Sequence, residues 1–458
     1  MGQPIPASHP HLIAPGEVTP GISYTEYEAR RRQLLDRLPD NSLALVFGHR
    51  LHFKATHVFY PFHQNSDFLY LTGFNEPDAI FMLEKSSALP QGHQLSLFVL
   101  PQDPHSEKWE GPRAGLEGVK QHFGSYQAYN YKDFSSHLYK VCRQLETASA
   151  SGTSCPVYAD LPTELVVDSP PHQAQTMFGE LGITLHKLSP MIQNLRLYKS
   201  AAEVKLMQKA GDISALAFRR VMAESCRCPT EHHITALFDY ECQWNGGEEM
   251  AYVPVVAGGA NALSLHYVQN NQLLSSGDLI LLDGGTSYRH YASDVTRTWP
   301  VGGTFSQPQA ELYSAVLRVQ KACMALCTED AGLSLNQIHW RSVALLKEEL
   351  WSLGWQATQE EIDNVLYPHH IGHYLGIDVH DTLDISRSLK LKDGMVITIE
   401  PGIYVPYDDR FPEQYQGIGI RIEDNLVIGK SEAIILSRSV PKEIDEIETA
   451  CHAEQKKQ

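Results

Sequence analysis

Four acidic side chains sit where a fold tolerates them least, inside or at the ends of apolar, strand-like runs in the second half of this 458-residue chain. Asp283 closes the run 279–282, and Asp294 lies in the alternating stretch 291–299. Glu400 ends 395–399 and is stopped by Pro401, while Glu423 closes the strict alternation 417–423. A carboxylate carried into apolar surroundings must find a partner or stay protonated. With His373 these residues form an oxygen-rich set of potential metal ligands, too acidic to stay unneutralised and too hard for a lone zinc. Two adjacent divalent cations would neutralise the set, and such a pair can turn water into a nucleophile at neutral pH. The chain therefore reads as a hydrolase, provided its fold brings the five together.

Local pattern supplies the first expectations of how they meet. Turn-prone Gly284 and Gly285 follow Asp283. A hairpin centred between Tyr288 and Arg289 predicts Asp283 directly opposite Asp294, with Cβ atoms roughly 5 Å apart on one sheet face. Taken alone, that pair could equally be solvated hairpin carboxylates. Along 417–423, Ile418, Ile420 and Ile422 share one face and Gly419, Arg421 and Glu423 the other. A structural ion pair of Arg421 with Glu423 is the simpler alternative there. His369, His370, His373 and His380 cluster with Gly372 and Gly376 among them, and His266 follows the Gly258-Gly259 loop. His369 and His373 have helical spacing, but Ile371 and Gly372 weaken a helix, and a zincin motif needs glutamate where His370 stands. That reading fails.

Length predicts two domains rather than one core. The apolar fraction of 43% and charged fraction of 20% fit a soluble globular protein. A formal charge of −17 argues against a nucleic-acid or anionic-membrane partner, part of the excess being the acidic site itself. No apolar run approaches the ~18 residues of a membrane span. Cys142, Cys155, Cys226, Cys228, Cys242, Cys323, Cys327 and Cys451 lack paired CxxC spacing, so they are expected as reduced thiols, many of them buried, rather than a structural zinc site. Residues 1–23 hold five prolines, one acid (Glu17) and no lysine or arginine, and read as an extended arm without a targeting signal. Any import signal would lie upstream. A polar helix over 26–38 leads into strands at 43–47, 68–71, 79–83 and 95–100, with a small-residue loop at 145–156. A long helix over 195–217 sets the boundary near 194. The expected divisions are an arm (1–23), an α/β domain (24–194) and a second domain carrying the chemistry (195–458).

The segments LLDGGTSYRHYASDVTRTWP (281–300), HHIGHYLGIDVHD (369–381), ITIEPGIYV (397–405) and GIGIRIED (417–424) resemble the signatures of Xaa-Pro aminopeptidases. These form the aminopeptidase P branch of the pita-bread metallopeptidases. The resemblance extends through QNSDFLYLTGFNEPDA (64–79) and LRLYKSAAEV (195–204) and so spans nearly the whole chain. The arm, GQPIPASHPHLIAPGEVTPG, resembles the start of mature mitochondrial members.

The resemblance implies an α/β N-terminal domain followed by a pita-bread (α+β) catalytic domain. It implies two divalent ions, manganese by family habit: Asp283 on one, Asp294 and Glu423 bridging, His373 and Glu400 completing the second. A hydroxide held between them would attack the scissile carbonyl, Glu400 taking its proton and returning it to the leaving nitrogen. His266 and His380 match histidines that contact the substrate or steady the tetrahedral intermediate. Tyr404 and Arg421 match groups that orient the bridging carboxylates. His369 matches a further pocket histidine, and Trp109 an N-domain tryptophan that helps close the pocket. His57 stands where relatives tend to carry an aspartate, which puts any relay through that acid in doubt.

Implied partners are peptide or protein N-termini and further copies of the chain, as a dimer or tetramer. The implied location is mitochondrial, with cytoplasmic as the alternative. Rival readings are an intermediate-cleaving peptidase that trims one residue without requiring proline, a prolidase restricted to dipeptides, and an inert pita-bread scaffold. Methionine aminopeptidases are shorter and lack such an N-terminal domain.

Overall fold

The apolar run at 43–47 becomes the wholly buried strand Ser42–Phe47, the middle of a six-stranded mixed sheet. It pairs antiparallel with Ile80–Lys85 and parallel with Val157–Ala159. Ile80–Lys85 in turn pairs with His93–Val99, beyond which Gln127–Asn130 runs parallel. The computed structural model describes residues 2–453 apart from 125, 149–155 and 163–164, and these fall into two compact units, Met1–Arg196 and Leu197–Gln458.

Four expectations, for the first unit and its junction with the second, need correction. The run at 68–71 is not a strand but part of the helix Ser66–Thr72. The Asn65 side chain caps it by accepting from the Phe68 N–H, and Gly73, at φ 65°, ends it in the left-handed region. Every residue of this helix except the half-buried Asp67 is buried, so the apolar run 68–71 carries no periodicity that could separate helix from strand. The helix expected over 195–217 is two helices, Ser189–Arg196 and Ala201–Glu224. Ser200 and Glu203 form a capping box that restarts the chain at Ala201. The loop expected at 145–156 begins later, because the helix Phe134–Ala148 runs into it; 149–155, with Cys155, lie outside the described residues. The arm is also more structured than an extended segment. Its strands Glu17–Thr19 and Ile22–Ser23 pair, and buried Gln3 donates to the Gly73 carbonyl and accepts from the Asn75 N–H.

The second unit stacks short antiparallel sheets against long helices. One sheet is Val255–Gly258, Leu279–Gly284 and Val295–Pro300; another is Val396–Ile399, Asp424–Val427 and Ile434–Ile435; Gly402–Tyr404 pairs with Gly419–Arg421. Their inward side chains share one core with the helices Ala201–Glu224, Glu231–Trp244, Gln307–Met324 and Leu335–Ser352, centred on residues such as Phe218, Phe238, Trp299 and Tyr313. Among the described residues no helix is long and apolar enough to cross a membrane. None of the seven described cysteines is in a disulfide, and five of them are buried.

The hairpin register differs from the expectation. Tyr288 pairs with Tyr291, leaving Arg289 and His290 as a two-residue turn with φ of 53° and 70°. Two positive φ values define a type I′ turn, whose twist matches that of the strands it joins. The pairing therefore sets Asp283 opposite Thr296, not Asp294. The slip is an even number of residues, so Asp294 keeps the expected face parity and becomes a diagonal neighbour. Asp294 falls between the strands Tyr291–Ala292 and Val295–Pro300. Its backbone is held there by Asn425, whose Oδ1 accepts from the Asp294 N–H at 3.0 Å and whose Nδ2 donates to the Asp294 carbonyl.

Beneath these strands lies a fully dehydrated ion pair. Arg297 Nη2 meets Asp424 Oδ1 at 2.8 Å, both side chains having no exposed surface. The guanidinium also donates to the carbonyls of Thr296, Glu423, Val440 and Pro441, tying two strands to the C-terminal segment. Burial alone would raise the Asp424 pKa, but Arg297 and Lys442 hold it well below the usual carboxylate range. Removing one partner strands a buried charge, which costs about 3–5 kcal/mol. Arg297→Met is accordingly predicted to lower stability by that amount in denaturant titrations followed by circular dichroism. A loss below about 1 kcal/mol would show that the pair is not the anchor described.

Candidate active site and metal centre

Asp283, Asp294, His373, Glu400 and Glu423 all line one cavity of about 340 Å3, together with Tyr252, His266, His369, His380 and Arg421. Each arrives by a different piece of chain. Asp283 lies near the end of Leu279–Gly284, and Glu400 follows Val396–Ile399, its N–H donating to the Ile371 carbonyl at 2.8 Å. That strand also receives the histidine segment, for Thr398 N–H donates to the His373 carbonyl at 2.9 Å. The approach is so close that a Cβ at Gly372 would overlap the Thr398 carbonyl, which explains a glycine between the two histidines.

Asp294, His373 and Glu423 each offer a ligand atom within 4.8 Å of the others, and all three are buried. His373 Nε2 stands 3.2 Å from Asp294 Oδ2 and 3.7 Å from Glu400 Oε1. The Tyr252 hydroxyl contacts Asp283 Oδ1 at 2.5 Å and Asp294 Oδ1, linking the remaining acid to the cluster. Arg421 does not pair with Glu423, the simpler alternative raised above. Its Nη2 meets Asp283 Oδ2 at 2.6 Å, its Nη1 donates to the Tyr404 hydroxyl at 2.8 Å, and its Nε donates to Thr296 Oγ1 at 3.2 Å. The Thr296 hydroxyl donates in turn to Glu423 Oε2 at 2.7 Å, so a neutral group separates the arginine from that acid. The Tyr404 hydroxyl also meets His369 Nε2 at 3.0 Å. The His380 ring centre lies 4.5 Å from that of His373, and His266 reaches the cavity from an exposed turn.

Two residues singled out in the sequence belong to the other unit. Trp109 is 76% exposed in the helix Pro104–Glu110. His57 is exposed at φ 61°, between the paired strands Phe53–Ala55 and Val58–Phe59. Three contributors escaped the sequence reading: Tyr252, Thr296 and Asn425. Tyr252 carries no periodic signal in 250–254, and the side chains of the other two meet Glu423, Arg421 and the Asp294 backbone only once the strands pair.

Crowding of like charges governs the titration of this centre. Burial, then the Asp294 and Asp283 charges, push Glu400 up to about 7, with His373 opposing. Glu423 is driven well above its ordinary value by burial and then by Asp294, Glu400 and Asp283. Burial raises Asp283 as well, despite Arg421. Asp294 moves the other way: burial would raise it, but the hydrogen bond and charge of His373 bring it below its ordinary value. His373 resists burial and is lifted to about 9 by Asp294 and Glu400, whereas burial beside Arg421 takes His369 down to about 3.

The residues fit a divalent metal centre by a feature of this structure. Glu423 Oε1 is buried and has no hydrogen-bond partner among the described residues, while Oε2 is taken by Thr296. Carboxylate oxygens with an imidazole nitrogen suit hard or borderline divalent cations. Antiparallel strands converging on such a cluster define the class: a metal-dependent hydrolase.

Comparison with known proteins narrows it. Residues 205–430 match metallopeptidase family M24, and 27–148 match the aminopeptidase P N-terminal domain. The chain is 42% identical to Xaa-Pro aminopeptidase 3 of Rattus norvegicus, over 98% of this chain and 90% of the relative. It is 37% identical to Intermediate cleaving peptidase 55 of Saccharomyces cerevisiae, over 98% and 88%. Among solved structures, Icp55 from Saccharomyces cerevisiae superposes with a TM-score of 0.87 at 36% identity, covering 96% of this chain and 99% of that one. Aminopeptidase P from E. coli does so at 0.85 and 32%, covering 95% and 99%. The chain belongs to metallopeptidase family M24, as a metallo-aminopeptidase that joins an aminopeptidase P N-terminal domain to a pita-bread catalytic domain.

The charge crowding makes a prediction for chelator-treated protein. Glu400 and His373 bind protons more tightly folded, at about 7 and about 9, than at their ordinary values of 4.5 and 6.5. Their contribution to folding is complete below those ordinary values and is lost as pH rises through 7 and then 9. A cation requires the deprotonated ligands, so its stabilisation should grow over the same window. Thermal melts with and without manganese should show a metal-induced rise that is larger at about pH 8 than at about pH 5. A rise that shrinks with increasing pH would contradict this account of the cluster.

Proposed function

We propose that this chain removes the N-terminal residue from peptides, preferentially where proline follows, using two divalent ions, manganese in the native enzyme. The observation that carries the reading is the buried Asp294–His373–Glu423 cluster, with Asp283 and Glu400 on the same cavity wall. The names of its relatives, Xaa-Pro aminopeptidase 3 among them, support the choice of bond. Bound there, the ions would supply the positive charge that makes water nucleophilic and steadies the developing oxyanion.

The chain's own groups divide the remaining work. Asp283, Asp294, His373, Glu400 and Glu423 would hold the ions. Glu400 would also accept a proton and return it to the leaving nitrogen. Arg421, bonded to Asp283 and the Tyr404 hydroxyl and through Thr296 to Glu423, would with Tyr404 orient the carboxylates that bridge the ions. His266 and His380 would contact the substrate or steady the tetrahedral intermediate, with His369 as a further pocket group. The acting form would be a homo-oligomer, a dimer or tetramer.

A second reading has its own support. Relatives from Saccharomyces cerevisiae, Schizosaccharomyces pombe and Arabidopsis thaliana are intermediate cleaving peptidases, 37–38% identical over at least 98% of the chain, and the name of the last includes "mitochondrial". They favour a mitochondrial location and removal of one residue without a proline requirement.

Manganese-reloaded protein assayed on a matched pair of peptides separates the readings. Cleavage of only the Xaa-Pro peptide is the expected result; cleavage also of a bulky-residue, non-proline peptide would favour the trimming role. Cleavage of neither would revive the inert scaffold. Asp294→Ala and Glu423→Ala are each expected to abolish turnover, by at least about 1,000-fold, and to lower bound manganese. Normal activity in either would sink the two-ion assignment. His380→Ala should reduce turnover with metal stoichiometry intact, and a loss of metal would make it a ligand instead.

A further inference from the structure

We infer that Glu231 is a positioning residue, which sets His266 in the cavity by organising the loop 258–274 around its carboxylate. The inference rests on the aminopeptidase reading above and adds a residue to it. Glu231 opens the helix Glu231–Trp244 and has no exposed surface. Its partners among the described residues are all neutral donors. Oε1 accepts from the Gly258 N–H at 2.8 Å and from Asn261 Nδ2 at 2.7 Å. Oε2 accepts from the Tyr267 hydroxyl at 2.8 Å and from the Gln272 N–H at 2.8 Å. The helix start favours an acid at this position, yet that preference alone would leave the carboxylate in solvent. Instead it is turned inward to four donors spread along one loop.

Those donors bracket His266. Asn261 and Tyr267 stand on either side of it in sequence, and Gly258 and Gln272 mark where the loop leaves and rejoins the fold. The second border is doubled, because the Glu231 N–H donates to the Gln272 carbonyl at 3.0 Å and Thr230 bridges to Leu273. Between these points Asn270 also ties the loop back, its Oδ1 accepting from the Val256 N–H at 2.9 Å and its Nδ2 donating to the Pro254 carbonyl at 2.8 Å. The stretch around His266 itself makes short local turns, such as Ser264 N–H to the Asn261 carbonyl. The exposed His266 is thus held by a loop four of whose donors converge on one buried carboxylate. Four such charge-assisted bonds make a stiff hub.

Charge and shape are both required. Each carboxylate oxygen takes one backbone N–H, Gly258 on Oε1 and Gln272 on Oε2. A glutamine in either orientation turns its NH2 against one of those N–H groups, and neither can accept. Glu231→Gln must therefore break one of these two bonds to the loop backbone while preserving volume.

The test is a double-mutant cycle on the full-length, manganese-loaded chain with a proline-containing tripeptide. Glu231→Gln is expected to lower kcat about 10-fold with KM and bound manganese nearly unchanged. In a His266→Ala background, itself slowed about 100-fold, the same change should have no further effect. A merely structural role would lower kcat by the same factor in both backgrounds, and that result overturns the inference. So does an active Glu231→Gln enzyme with wild-type kcat, or a silent His266→Ala. Should Glu231→Gln fail to fold, Tyr267→Phe deletes one donor only and is expected to show about a 3-fold loss of kcat, confined to the His266 background. Its equal effect in both backgrounds would overturn the inference as well. The wild-type chain run alongside distinguishes failure of this inference from failure of the peptidase reading, which would show as no cleavage at all and would remove both.

Discussion

Mutual repulsion among buried carboxylates is the constraint around which the catalytic unit is arranged. Asp283, Asp294, Glu400 and Glu423 share one cavity with a single arginine and a single directly bonded histidine to offset them. Such a group is unfavourable by itself, and the raised pKa values of Asp283, Glu400 and Glu423 express that cost in protons. What keeps the acids together is the frame: short paired strands, a glycine that lets His373 lie against the strand before Glu400, and the Arg297–Asp424 pair below. The frame is stable without asking the acids to be comfortable. Cations then find a site whose ligands already face one another.

The same frame explains the division between groups that change charge and groups that do not. Glu400 sits near neutrality and His373 above it, so both respond to pH or to a cation. Arg421, Tyr404 and Thr296 stay in one protonation state and pass orientation from Asp283 to Glu423 through hydrogen bonds.

Much of this was legible in the chain because acids interrupt apolar runs. Asp283, Glu400 and Glu423 declared themselves by closing strands, and the histidine-glycine segment by its density. The hairpin register was misplaced because its turn is Arg289-His290, with no asparagine or glycine to announce two positive φ values. The helix Ser66–Thr72 was misread because a run buried on every side has lost its period, and only Asn65 and Gly73 at its ends carried the signal. Tyr252 and Asn425 were invisible for a different reason. Tyr252 bonds acids 31 and 42 residues away, and Asn425 grips a backbone 131 residues distant. No local pattern encodes such separations.

That grip has a consequence for how the enzyme meets its metal. An amide presents one donor and one acceptor at every pH, and Asn425 uses them on the two backbone groups of Asp294. The break in the strand at Asp294 is thus splinted by a group that neither titrates nor binds cations strongly. Loading and losing ions can alter the charge of the cavity over a wide range while the carboxylate at its centre keeps its mounting. An apo form of this enzyme is then a waiting state rather than a loosened one.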